Sequence, residues 1–253
     1  KSKINSTNSG SKIDKGYVGH RAAKMMQTSK NIEKRKEQQI EEKRELLKEI
    51  EKEEPLIMKP LKFRKKELII AKDLQIKYGK NIIFNKLDFT ICVGDRVALV
   101  GKNGSGKSSL LKLIIGEDID YIGKINIANG MKISYISQNT DNLKGNLKDY
   151  CNENEIDESI FKAMLNKLGV GKDDFNTDIS KMSDGQKKKV LIAGSISKSA
   201  DLYIWDEPLN YIDVISREQI ESMLLKYSPT IIFVEHDEMF VEKIANKIIE
   251  IKN

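Results

Sequence analysis

Gly101-Lys102-Asn103-Gly104-Ser105-Gly106-Lys107-Ser108 fits the pattern G-x-x-x-x-G-K-[ST]. The residues before it, Arg96-Val97-Ala98-Leu99-Val100, are mostly apolar and β-prone, as a buried parallel strand requires. Those after it, Ser109-Leu110-Leu111-Lys112-Leu113-Ile114-Ile115-Gly116, read as a helix that stops at a glycine. The loop therefore lies between a strand and a helix. Its glycines let the backbone turn sharply and approach a ligand closely. The N–H groups so exposed, with the helix N-terminus behind them, form a nest for anionic phosphates. Lys107 is placed to reach β- and γ-phosphates, and Ser108 to ligate Mg²⁺.

The rest of the composition limits what surrounds this loop. The chain has 253 residues, of which 32% are charged and 39% apolar, and a net charge of +6. That length admits one large domain with an appendage, or two small domains. The charge is uneven. Lys1 to Lys66 holds 19 basic and 10 acidic residues, a net of +9, and Glu67 to Asn253 holds 25 basic and 28 acidic, a net of −3. A basic N-terminal arm points to a polyanionic partner. Cys92 and Cys151 have no metal-binding spacing, and two cysteines make no disulfide framework, which fits a reducing cytoplasm. No apolar run approaches the roughly 20 residues of a membrane span, and no segment reads as a signal peptide. The chain opens at Lys1 on a polar stretch, as a piece of a longer protein would.

Residues 1–16 are rich in Ser, Asn, Lys and Gly and read as a flexible loop. From about Tyr17 to Glu54 the residues are strong helix formers, with no glycine after Gly19 and no proline before Pro55. Ile32, Gln39 and Leu46 recur at seven-residue spacing, with Ile40 and Leu47 one position behind, giving a narrow apolar stripe suited to packing on one other helix. Pro55 and Pro60 place a domain boundary near residue 60. Beyond it, Glu67–Ala71 and Leu74–Tyr78 read as two strands before the turn Gly79-Lys80-Asn81, and 82–91 alternates loosely. Gly123–Ala128 and Lys132–Ile136 read as an antiparallel hairpin about Asn129-Gly130. Lys148 to Ser199 reads mainly as helix. Strand and helix then alternate to the end, which argues a parallel sheet covered by helices.

Leu202-Tyr203-Ile204-Trp205-Asp206-Glu207 is an apolar strand ending in two acids, the form of a Walker B strand. Asp206 is suited to the Mg²⁺ shell, and Glu207 to polarising an attacking water as general base. Each further residue has an ordinary structural reading when taken alone. His236 is then a satisfied histidine, Tyr78 a packing residue and Trp205 core. Their joint occurrence in one order is what carries information. Met182-Ser183-Asp184-Gly185-Gln186 ends 20 residues before Asp206 and opens a basic helix; Gln138 follows the strand Ile133–Ile136; His236 follows Ile231–Val234; Tyr78 precedes the loop by 23 residues.

This set resembles an ABC nucleotide-binding domain from about residue 67 to the C-terminus. Met182–Gln186 is similar to the signature Leu-Ser-Gly-Gly-Gln, Gln138 to the Q-loop, His236 to the switch histidine, Tyr78 to the aromatic that stacks on adenine, and Asp213 to the D-loop aspartate. The resemblance implies an α/β P-loop NTPase of the ABC nucleotide-binding-domain type. That fold is a mixed sheet with an antiparallel β subdomain and a helical signature subdomain over about 139–198, here preceded by a long N-terminal helix. Residues 1–60 would be a basic interdomain linker (loop 1–16, helix about 17–54) and 61–253 the ATP-binding domain. The cofactors implied are ATP and Mg²⁺. Catalysis would fall to Glu207, His236 and Gln138. ATP would be held by Tyr78, by Gly101, Asn103, Gly104, Ser105, Gly106, Lys107, Ser108 and Ser109 of the loop, and by Ser183, Gly185, Gln186 and Asp213 on the signature side. Mg²⁺ would lie against Ser108, Gln138 and Asp206. Two departures stand out. Met182 replaces Leu and keeps an apolar anchor. Asp184 replaces Gly, and the acid either weakens phosphate binding there or turns away towards its own helix N-terminus.

Within that superfamily, Trp205-Asp206-Glu207-Pro208-Leu209-Asn210-Tyr211-Ile212-Asp213 resembles the second ATPase domain of ABC-F proteins, particularly the antibiotic-resistance, ribosome-protection group. Gly16-Tyr17-Val18-Gly19-His20-Arg21-Ala22-Ala23-Lys24-Met25-Met26 and the charged helix after it resemble the second half of that group's interdomain linker. The resemblance implies a cytoplasmic ATPase without a membrane domain. It would act on the ribosome through rRNA and counter lincosamide, streptogramin A or pleuromutilin drugs. The alternatives are the ATP-binding subunit of a membrane transporter, which leaves the basic helix unexplained, and a nucleotide-gated binding module without turnover.

In the ABC scheme two domains sandwich two ATPs, one domain's P-loop facing the other's signature. A chain with one of each completes a site only with a partner domain or a second copy. Such a chain binds ATP and hydrolyses it slowly by itself, with specific activity rising with protein concentration. Steady-state ATPase assays over a dilution series check this, and a fast turnover independent of concentration would contradict it.

Overall fold

Alternate residues of the strand Arg96–Val100 face opposite sides of one sheet. Val97 and Leu99 enter one apolar cluster and Ala98 enters another. The same alternation runs through Leu202–Asp206 and Ile231–Val234: Leu202, Ile204, Ile232 and Val234 join Leu99, while Tyr203, Trp205, Ile231 and Phe233 join Ala98. The three middle strands of the central sheet are thus buried on both faces, which is why they read as continuous apolar runs. The computed structural model describes residues 54–252. The loop 1–16 and the helix expected over about 17–54 lie outside the described residues up to residue 53.

The chain forms β1 (Glu67–Tyr78), β2 (Asn81–Ile82), β3 (Leu87–Cys92), β4 (Arg96–Val100), α1 (Lys107–Ile114), β5 (Tyr121–Ile127) and β6 (Ile133–Ile136). There follow α2 (Leu147–Glu153), α3 (Glu158–Lys167), two 3₁₀ turns, and α4 (Asp184–Ser197). The last elements are β7 (Leu202–Asp206), α5 (Val214–Tyr227), β8 (Ile231–Val234), α6 (Glu238–Ile244) and β9 (Lys247–Glu250). The central sheet is wholly parallel, in the order β6-β7-β8-β4-β9. A smaller antiparallel sheet has β1 between β3 and β5, with β2 on the end of β1. The cluster between the two sheets takes in Ile69, Leu74 and Ile76 of β1 and Leu110, Leu111 and Ile114 of α1. The cluster on the other face joins the central sheet to α2, α3 and α4 through Phe161, Leu165, Ile192 and Ile196. This is the P-loop fold with antiparallel and helical parts that the sequence implied.

Two expectations fail, each for a local reason. Glu67–Ala71 and Leu74–Tyr78 are one strand, not two. Its pairing shifts register on both sides near residues 71–75, and Asp73 takes φ 49°. This is a bulge in a continuous strand. The Asp88 carboxylate accepts the Asp73 N–H at 2.5 Å. The bulged carbonyl lies so close to Gly123 that a Cβ there would meet it at 2.3 Å. Likewise, Gly123–Ala128 and Lys132–Ile136 do not pair as a hairpin. Asn129-Gly130 does turn, with Gly130 at φ 82°. Before the turn, however, β5 is taken up by β1, and the Ala128 N–H donates to the Leu68 carbonyl at 2.8 Å. After it, the Lys132 N–H donates to Asp201 at 2.9 Å, and β6 pairs with β7 in parallel. The turn signal was sound, and distant partners claimed both arms.

The stretch between Pro55 and Pro60 packs on this fold. Leu56 and Met58 are 1% and 2% exposed, with Ile57 between them at 44%. Both buried side chains belong to the cluster that holds the helical region. Lys167 donates to the Pro55 carbonyl at 3.0 Å, and the Leu61 N–H to the Ala200 carbonyl at 2.8 Å. Among the described residues no helix is long and apolar enough to cross a membrane. Met58→Ala should destabilise the domain by about 2 to 5 kcal/mol, read as a lower denaturant midpoint, whereas Ile57→Ala should have little effect.

Candidate functional site

The carboxyl ends of four parallel strands lead to the site: β4 into Gly101, β6 into Ser137-Gln138, β7 into Asp206-Glu207 and β8 into Glu235-His236. Gly106 precedes α1 at φ 96°, and a Cβ there would meet Ile83 Cγ2 at 2.8 Å and Phe84 Cδ1 at 3.0 Å. Only glycine permits that turn against the apolar wall. Lys107 then opens α1, almost fully buried, and its ammonium donates to the carbonyls of Gly101 at 2.9 Å and Lys102 at 3.1 Å. Two of its three donors close the loop on itself. The Tyr78 hydroxyl reaches the first turn of the same helix and donates to Ser109 Oγ at 3.0 Å.

These groups line a cavity of about 450 Å³. Its walls are Tyr78 and Ile83 on one side, Asn103, Gly104 and Gly106 to Ser109 of the loop, and Gln138, Glu207 and His236 opposite. Glu207 is the point where the strand ends meet. Gln138 Nε2 and Asn210 Nδ2 donate to Glu207 Oε2 at 2.9 and 2.8 Å, and His236 Nε2 lies 3.2 Å from Glu207 Oε1. Glu207 adopts φ 48°, a left-handed conformation costly for a residue with a Cβ, as residues held at functional sites sometimes do.

Asp206 is 1% exposed, and its Oδ1 has no hydrogen-bond partner among the described residues. Burial pushes its carboxyl above the usual range, opposed by the Ser108 hydroxyl bonded to it and reinforced by Glu207. A buried carboxylate oxygen left unpaired beside a hydroxyl, next to a phosphate-type nest, fits a hard divalent cation with oxygen ligands. Asp206 and Ser108, with the Gln138 amide at the same cavity, would hold it. When bound, the ion would neutralise phosphate charge. Glu235, whose carboxyl burial also raises, accepts the Leu209 N–H at 2.8 Å and so ties the turn after β7 to that after β8.

The structure gathers Tyr78, the loop residues from Asn103 to Ser109, Gln138, Asp206, Glu207 and His236 around one end of the sheet. Ser105 and Gly101 belong to the loop but lie behind its surface: Ser105 is 1% exposed, and a Cβ on Gly101 would meet Ser105 Oγ at 2.7 Å. Ser183, Gly185, Gln186 and Asp213 do not line that cavity. Ser183 and Gln186 form a capping box on α4: Ser183 Oγ accepts the Gln186 N–H at 3.2 Å, and Gln186 Oε1 accepts the Ser183 N–H at 3.1 Å. Asp213 caps α5 by accepting the Ser216 N–H at 2.9 Å, and pairs with Lys189 at 2.6 Å. Burial works against its charge, but the bonds from Lys189 and Ser216 outweigh it and hold the carboxyl below its usual range. Asp184 is exposed in the first turn of α4, where a helix N-terminus favours an acid.

Sequence reasoning missed Asn210, Ile83, Glu235 and Lys188. The signal at Asn210 was its spacing, since a donor three residues past Glu207 can fold back onto it. Lys188 is 2% exposed and donates to the carbonyls of Ser137, Gln138 and Glu207 at 3.3, 2.8 and 3.2 Å. Its signal was periodicity: on α4 it shares a face with Leu191, Ile192 and Ser195, all buried.

The family described as "ABC transporter" matches residues 84–210. The chain is 31% identical over 194 residues to the ribosome protection protein VmlR of Bacillus subtilis, a match covering 74% of this chain and 35% of that protein. It is 28% identical over 254 residues to ABC transporter F family member 2 of Arabidopsis thaliana, covering 95% of this chain and 36% of that one. The chain thus spans about a third of the length of these relatives. Its fold is similar to that of a bacterial Atm1-family ABC exporter with ATP bound, with a TM-score of 0.65 and 18% identity over 77% of this chain and 38% of the exporter's.

Asp206→Asn removes a buried charge. An acid whose folded pKa is raised destabilises the fold above that pKa and not below its unfolded value near 3.9. In Mg²⁺-free buffer the variant should therefore melt higher than the parent at neutral pH, by roughly 2 to 4 °C per kcal/mol relieved. The gap should close as pH falls towards the ordinary Asp range. Thermal melts between pH 4 and 8 test this, and a variant less stable at neutral pH would refute it.

Proposed function

The chain belongs to the ABC transporter family through its ATP-binding domain, and from that premise we propose that it is the ATP-hydrolysing half of an ABC-F protein that acts on the ribosome. ATP occupies the cavity between Tyr78 and the loop Gly101–Ser108. The loop amides and Lys107 take up phosphate charge, and Asp206 and Ser108 hold Mg²⁺. Glu207 takes a proton from the attacking water, while Gln138 and Asn210 fix one of its oxygens and His236 stands at the other. The signature end of α4, which does not line this cavity, serves the ATP of a partner domain or a second copy. ATP binding then favours a closed pair and hydrolysis releases it.

The carrying observation is the pairing of Glu207 with Asn210 within Leu209-Asn210-Tyr211-Ile212-Asp213, the stretch that resembles ABC-F proteins. The similarity to a protein named for ribosome protection supports the same reading, and so does the net +9 of residues 1–66, suited to rRNA phosphates. About 35 helical residues would reach roughly 50 Å, far enough to carry a loop to a distant drug site. Protection against lincosamides, streptogramin A or pleuromutilins is the activity proposed. The similarity to an exporter's fold favours a second reading, the ATP-binding subunit of a membrane transporter.

Co-sedimentation separates the two. The two-domain protein carrying Glu207→Gln should pellet with ribosomes in the presence of ATP, less without it, and less as salt rises. Intact ATPase activity with no ribosome binding under any nucleotide condition would sink the ribosomal reading and favour the transporter.

A further inference from the structure

Three contacts fasten one segment to α4. The segment runs from Glu207 to Asp213, and two of its residues are held in left-handed conformations, Glu207 at φ 48° and Tyr211 at φ 65°. At its start, the Lys188 ammonium donates to the Glu207 carbonyl at 3.2 Å. Near its end, Gly185 lies against the Tyr211 carbonyl, which a Cβ would meet at 2.8 Å. At its end, Lys189 pairs with Asp213 at 2.6 Å. Lys188 also donates to the carbonyls of Ser137 and Gln138. Its three N–H donors thus hold the backbone at Ser137-Gln138 and at Glu207, and the Gln138 and Glu207 side chains meet at 2.9 Å.

We propose that Lys188 is a positioning residue for hydrolysis, which couples the position of the signature helix to the placement of Gln138 and Glu207; this rests on the ATPase reading given above. The argument is partly one of cost. Lys188 is 2% exposed, and burying an ammonium is unfavourable where an apolar side chain of similar length would pack without penalty. Burial accordingly depresses its pKa, against the pull of the carboxylates Asp206, Glu207 and Glu235 nearby. A charge held at that cost, with each donor on a carbonyl from one of two functional turns, is arranged for position. The helix that carries it is fixed to the sheet further along. Ser195 meets Ser134 Oγ of β6 at 2.8 Å and accepts the Trp205 Nε1–H of β7 at 2.9 Å. A tilt of α4 about that anchor moves the Lys188 end, and with it the carbonyls of Gln138 and Glu207.

The test compares Lys188→Met, which removes every donor, with Lys188→Arg, which keeps a cation and its donors. It has two readouts. Hydrogen–deuterium exchange should rise about tenfold at the Leu209 and Glu207 amides in the Met variant, with the amides of β7 upstream and of the second half of α4 unchanged. The kcat for ATP should fall about tenfold, with nucleotide affinity within about threefold, and Arg should recover both in part. Emission from Trp205, the single tryptophan, and the thermal midpoint report whether the fold is intact. Unchanged exchange at residues 207–209 in the Met variant would overturn the proposal. So would a loss of protection spread evenly through β7 and α4, or a kcat and affinity that decline together. If the Met variant fails to fold, Lys188→Gln, with two donors and no charge, takes its place, and a folded Gln variant with parental exchange and turnover would likewise overturn it. If the parent itself hydrolyses no ATP, the ATPase reading fails while the exchange pattern still decides whether Lys188 holds the two turns.

Discussion

Parallel pairing of neighbouring strands is the constraint on which the site depends. β6 pairs with β7, β7 with β8 and β8 with β4, all in the same direction. Their carboxyl ends therefore fall at one edge, where ligands bind in open α/β sheets. Four short turns emerge there, and each carries one kind of chemistry: an anion nest, an amide, a pair of acids, an imidazole. None of these turns is near another in sequence. Their meeting at Glu207 follows from the order β6-β7-β8-β4 and from apolar runs that can be buried on both faces. A slip of one residue in any strand would exchange its two faces and carry its turn out of reach.

The edge is also where the domain accumulates unfavourable burial. Asp206, Lys188 and Lys107 are each almost fully buried, and Glu235 has its carboxyl pushed up by desolvation. Charges so placed rarely add stability. What permits them is mutual arrangement: Lys188 and Lys107 are covered by carbonyls and Glu235 by an amide, while Asp206 Oδ1 has no hydrogen-bond partner among the described residues. The apolar clusters on either side of the sheet carry the stability that this edge consumes.

How much of this was legible depends on range. The loop Gly101–Ser108 and the acids after β7 could be read because each is a local run with a local cause, a glycine where the backbone must turn or a pair of acids where an apolar strand ends, whereas Gln138 and His236 stood out only through their order in the family resemblance. Partner choice was not legible. Asn129-Gly130 correctly marks a turn, but whether its arms pair with each other is decided by β1 and β7, both distant in sequence. Asp73 gave no sign of a bulge, since the close approach that fixes it comes from Gly123. Lys187-Lys188-Lys189 lie in the helix that the sequence marks only as basic, and the phase of α4 separates the buried one from its neighbours. Ser183 and Gln186 carried two meanings at once, a capping box and a signature, and the box is the one written in this chain's own hydrogen bonds.

The burial of Leu56 and Met58 has a mechanical meaning. These two side chains and the Leu61 amide join the chain after residue 54 to the helical region and to the Ala200 turn, six residues ahead of Asp206. Tension applied from the N-terminal side would be borne first by that seam, on the face of the sheet opposite α1. The cluster that takes up this load holds Tyr203 and Trp205 of β7 and Ala98 of β4, so load would reach both the acids and the anion nest through one packed layer. A pull on the leading segment would thus bear on the same face of the sheet that both β4 and β7 present to the helical region.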